Sequence, residues 1–164
     1  MFQWPKGEIT YSASYLTDPL GSLAEQARWL IDSTYRVSAP FPGPAIFSRE
    51  PGELHLELAL EPSLSREDQV NPRTDISNAK VLLSLVEWED GPDSVNASPP
   101  ECVHYVGECE ANVFAHLVFD NLLDVYEKFG IVQYREKWIL ADFPMAHFAA
   151  IGRALGKPLP NRSL

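Results

Sequence analysis

The sequence predicts an α+β fold: a mainly antiparallel sheet of about five or six strands packed against two or three helices, in one domain spanning residues 1–164. Three observations point to it. Stretches of two-residue alternation flank turn dipeptides, as antiparallel hairpins require. Other stretches repeat apolar residues at helical spacing. The resulting order, βα-ββ-ββ-α-β-α, places too few helices between strands for every strand pair to be a parallel crossover. A chain of 164 residues, 45% hydrophobic with 4 Trp, 6 Tyr and 8 Phe, has the means to build a packed core.

Residues 8–16 alternate Ile9, Tyr11, Ala13 and Tyr15 against Thr10, Ser12 and Ser14, the pattern of a half-buried first strand. Asp18-Pro19 then reads as an N-cap and first-turn pair. It opens a helix carrying Leu20, Leu23, Ala24, Ala27, Leu30 and Ile31 to about Tyr35. The proline-rich stretch 39–44 is a connector. Residues 45–49 and 53–60 flank Pro51-Gly52 and predict a hairpin, with Leu54, Leu56, Leu58 and Leu60 on a core face and Glu53, His55, Glu57 and Ala59 on a wet one. A long loop is expected over 61–79, a central strand over 81–89, a second long loop over 90–100 and a short strand over 102–106. The main helix runs from about Glu110 to Phe129 and ends at Gly130, which suits a C-cap. Residues 138–141 form a last strand, Asp142 caps a final helix through Leu155, and 156–164 is a short tail containing Pro158 and Pro160.

Charge is segregated along the chain. The formal net charge is −10, and residues 50–127 hold 17 of the 23 acidic residues but three of the 13 basic ones. Such a field disfavours nucleic acid and anionic membranes as partners and steers basic ones inward. The N-terminus carries neither a basic start nor an apolar run, and no stretch has the length of a membrane span. The mature chain is therefore expected to begin at Met1 and stay in the cytoplasm. Two cysteines, Cys102 and Cys109, fit a reducing compartment.

No catalytic motif stands out. The chain has no glycine-rich phosphate loop, no G-x-S-x-G elbow and no H-E-x-x-H, so no cofactor is expected. Cys102, His104, Cys109 and His116 are the densest group of soft ligands, but their spacing does not suit a zinc knuckle, and no metal is expected. Glu101, Glu108 and Glu110 would raise a cysteine's pKa, which argues against a thiolate nucleophile. His116 is expected to contact Asp120, one turn on.

The profile of small size, segregated acidity and no catalytic signature resembles, as a class, inhibitor or immunity proteins that neutralise basic nuclease-type toxins. The first functional expectation is a non-enzymatic protein-binding module that presents Glu53, His55, Glu57, Glu87, Trp88, Glu89, Asp90 and Asp93 to a basic protein partner, an aromatic such as Trp88 providing the anchor if it is exposed. The alternative is a small cofactor-independent, hydrolase-like enzyme whose site is assembled from His55, His104 and Asp75. A third reading is a homodimer in which the apolar main helix packs against a second copy.

Overall fold

The computed structural model of the chain describes residues 3–4, 7–8, 17–48, 52–88, 102–138 and 141–160. The chain opens with a two-residue antiparallel ladder, β1 (Gln3–Trp4) on β2 (Gly7–Glu8). Most of the first expected strand, residues 9–16, lies outside the described residues.

Helix α1 (Pro19–Ile31) starts as its sequence predicts: Pro19 takes the first turn, and the Asp18 carboxylate accepts the Gly21 N–H at 2.8 Å. It does not run on to Tyr35. Asp32 leaves helical geometry, and its side chain accepts the Tyr35 N–H at 3.1 Å, starting a separate helix α2 (Ser33–Ser38). An aspartate offers the backbone a competing acceptor, and here that acceptor divides one periodic stretch into two helices.

Four strands form the main sheet: β3 (Ala45–Ser48), β4 (Glu53–Leu60), β5 (Lys80–Trp88) and β6 (Cys102–Glu110), in the order β3-β4-β5-β6. All three pairings are antiparallel, so the sheet is a meander. The expected hairpin pairs Ala45 with Leu56 and Ser48 with Glu53. The main sheet thus has four strands where about five or six were expected, and the described residues form five helices instead of two or three. Strand β6 does not stop at Val106. It continues to Glu110 because Cys109, opposite Val81, faces the core.

Residues 61–79 are more ordered than a plain loop. Ser65 caps α3 (Arg66–Val70), and Ile76, 1% exposed, plugs the core. The chain is then tied to α4 through the bonds Ala111 N–H to Ala79 O and Asn112 N–H to Ser77 O.

Helix α4 (Ala111–Lys137) is broken at Gly130, with φ 63° and ψ −175°, a conformation that glycine adopts without a Cβ clash. Its apolar stripe faces the core through Phe114, Ala115, Val118, Phe119 and Leu122. Val113 and Leu117, one turn apart, stay exposed. Beyond the break Tyr134 anchors the last turns, stacked on Trp138 at 4.9 Å and edge-on to Phe143 at 5.4 Å. The strand expected at 138–141 is not present in its described part: Trp138 lies in a bend and Ala141 has no regular structure. Asp142 does not cap α5 (Met145–Ala154), because Pro144 holds the N-cap position and Asp142 pairs with Arg135 at 3.4 Å.

One core joins α1, α4 and α5 to the sheet face that bears Leu54, Leu56, Leu83 and Leu85. None of the described helices is long and apolar enough to cross a membrane.

Candidate functional site

Alternation along β4, β5 and β6 puts every second side chain on the sheet face away from that core. Across the registers this face reads in rows: Ser48, Glu53 and Trp88; then Ile46, His55, Val86 and Val103; then Glu57, Ser84 and Val106; then Ala59, Leu82 and Glu108. Val103 is 53% exposed and Val106 is 67% exposed. Lys80, in register with Glu110 one row further on, is paired with Glu108 at 2.7 Å.

His55 departs from expectation. It lies on the predicted face but is buried, 1% exposed. It is one strand in from the sheet edge, with Val86 and Ile46 in register beside it and the Trp88 ring 6.1 Å away, centroid to centroid. Its Nε2 lies 2.8 Å from Glu53 Oε2, and the Ser48 hydroxyl donates to Glu53 Oε1 at 3.4 Å. The His55 Nδ1 and Trp88 Nε1 are buried without hydrogen-bond partners. Trp88 is therefore not an exposed anchor: it is half-buried, turned onto the imidazole.

The rest of the expected acidic patch is divided. Glu57 stays half-buried on the open face, in register with Ser84. Glu87, one residue before Trp88, falls on the core side of the pleat in register with Leu54 and Cys102. Glu89, Asp90 and Asp93 lie outside the described residues.

The alternative set is not brought together. His104 is the extra residue of a β-bulge, where the register passes from Leu85 opposite Tyr105 to Val86 opposite Val103. Asp75 sits beside Arg36, Leu30 and Ile31 on the helix side, its carboxylate accepting the Ser77 N–H at 2.9 Å. The sheet separates it from His55. Nor is His116 joined to Asp120 by a hydrogen bond or ion pair; Asp120 is bonded by Lys157 at 2.6 Å.

The chain matches no protein-family model, no curated protein and no solved structure. Its function must be argued from its own geometry. Among the described residues no three His, Cys, Asp or Glu side chains converge as metal ligands would. The Cys109 thiol is pushed up by burial, with Glu110 adding to the shift and a bond to the Phe114 backbone opposing it.

One cluster escaped sequence reasoning. Asp18 from the start of α1, Tyr35 from α2, Tyr134 from α4 and His147 from α5 are spread over the whole chain and share no local spacing. The Tyr134 hydroxyl is buried without a partner, and burial plus the Asp18 charge raise its pKa. Burial also raises Asp18, against the bond from Gly21. His147 stands edge-on to Tyr35 at 5.8 Å. Burial lowers its pKa, Arg28 adds to that, and Glu25 and Asp18 oppose it. Arg28 in turn lies 4.0 Å over the Tyr35 ring, and the Tyr35 hydroxyl donates to Glu25 at 2.9 Å.

This cluster makes stability depend on pH. Because the folded pKa of His147 is below 6.5, its contribution is fully present above that pH and is lost as pH falls toward the folded value. Asp18 has the opposite sign. Its folded pKa lies above 3.8, so acidification through that value relieves the strain of a buried carboxylate, at lower pH. The urea midpoint is expected to fall between about pH 7.5 and pH 5.5, and His147→Gln is expected to flatten that fall. An equal slope in the variant would remove His147 as the cause.

Proposed function

We propose that this protein is a non-enzymatic binding module that receives a basic protein partner on the open face of its sheet. The observation that supports the reading is the pairing of exposed Val103 and Val106, on the edge strand β6, with the carboxylates of Glu57 and Glu110 on the same side of the sheet, Glu53 and Glu108 being taken by His55 and Lys80. Exposed apolar side chains flanked by charge are what a protein interface presents. The net charge of −10 would speed encounter with a cationic partner, and the valines would be dried on contact. A cytoplasmic inhibitor of a basic enzyme, of the immunity type, is the function this arrangement suits best. Anchoring falls to Val103 and Val106 in place of Trp88, which is committed to His55.

The test compares the tagged protein with a Glu57→Lys/Val106→Lys variant in pull-downs from source lysate at low and high salt, read by mass spectrometry. The wild type is expected to retain one stoichiometric basic protein that high salt removes. The variant, checked for an unchanged melting temperature, should retain at most about a tenth as much of it. If wild type retains no such protein, or wild type and variant retain it alike, this face is not the binding surface.

A further inference from the structure

A cleft of about 170 Å³ opens where α1 meets α2 and the 72–75 segment. Its floor includes Arg36, 2% exposed. The guanidinium donates to Thr74 O at 2.6 Å and to Leu30 O at 3.3 Å, both neutral acceptors, while its Nε is buried without a partner. Among the described residues no carboxylate is hydrogen-bonded to it. Asp75 at the rim and Asp32 act on Arg36 through their charges, but the Asp75 carboxylate is engaged by Ser77 and that of Asp32 by the Tyr35 N–H and Arg28. Arg73 also lines the cleft, and Leu30, Ile31 and Pro72 form apolar walls.

A buried cation whose neighbours are carbonyls gains more from an arriving carboxylate than an exposed one would, because little water competes for it. A simple anion would be opposed by Asp75 and, less strongly, by Asp32. A molecule that carries its own ammonium would not, and the cleft has about the space of half a dozen waters.

We propose that this cleft binds a small zwitterion of the α-amino acid class, with its carboxylate toward Arg36 and Arg73, its ammonium toward Asp75, and a short apolar side chain against Leu30, Ile31 and Pro72. The site is on the helix side, apart from the open face of the sheet, and does not depend on what that face binds.

The full chain, labelled with ¹⁵N, permits a direct test through the arginine Nε–H resonances. L-valine is titrated against isobutyrate, which lacks the ammonium, and isobutylamine, which lacks the carboxylate. The Arg36 resonance should move saturably with L-valine, with about fivefold weaker binding for isobutyrate, the size of one exposed ion pair, and no movement with isobutylamine. Asp75→Asn, at an exposed position, should bring L-valine and isobutyrate to equal affinity. An Arg36 resonance unmoved by L-valine at tens of millimolar overturns the proposal. So does isobutyrate binding as tightly as L-valine in the wild type, which would leave Asp75 no part in recognition.

Discussion

Phe148→Ala is expected to lower the unfolding free energy by about 3–5 kcal/mol and the melting temperature by roughly 10–15 °C. Phe148 is fully buried. Its ring centroid lies 4.9 Å from Phe119, 5.7 Å from Phe143 and 5.9 Å from Tyr126, so one side chain ties α5 to two turns of α4 and to the segment that joins them. Truncation removes apolar area and leaves a cavity between helices that can close over it only in part. Calorimetry or thermal denaturation followed by circular dichroism would measure the shift. Val132→Ala, at a position 71% exposed, is the control and should stay within about 0.5 kcal/mol of wild type. A loss below about 1 kcal/mol for Phe148→Ala would mean that α5 does not dock as described.

Arg36→Met should cost about 2–3 kcal/mol. Methionine retains the length and apolar stem of arginine but cannot donate to Thr74 O and Leu30 O, and an acceptor stranded away from water loses its solvation as well as its partner. Replacing a whole buried polar group by apolar residues can be nearly neutral, but here the carbonyls remain, so the loss is not offset. The damage should be local as well as global. Hydrogen exchange at Thr74 and Ala79, whose N–H groups bond to Asn71 O and Ile76 O, should quicken more than exchange in the central strands β4 and β5. Unchanged exchange there would show that Arg36 does not hold the 72–79 segment in place.

Elements that depend on near neighbours in the chain were legible from the residues. Asp18-Pro19 starts α1, the alternation of residues 53–60 makes β4, and Gly130 breaks α4, each through interactions a few residues long, although the helix resumes to Lys137 where its end was expected. Asp142 was expected as a cap, but Pro144 holds that position and the Asp142 carboxylate pairs with Arg135 instead. Residues 61–79 were expected to be loop, since a polar stretch with scattered Leu64, Val70 and Ile76 has no period to reveal that the isoleucine fills a gap between distant elements.

By itself the sequence determined the α+β class, the antiparallel hairpin, the residues sharing each face of β4 and the acidity of the middle of the chain, because strand pleat, helix pitch and side-chain charge are properties of local covalent structure. Tertiary structure alone decided which of those residues meet water. His55 shares a face with Glu53 and Glu57, as alternation requires, yet neighbours from two other strands bury it, and Trp88 is spent on it. Glu87 and Trp88, adjacent in sequence, end on opposite sides of the sheet. Asp18, Tyr134 and His147 meet only after three helices pack. Burial is a sum over contacts between segments far apart in the chain, and no spacing within one segment contains it.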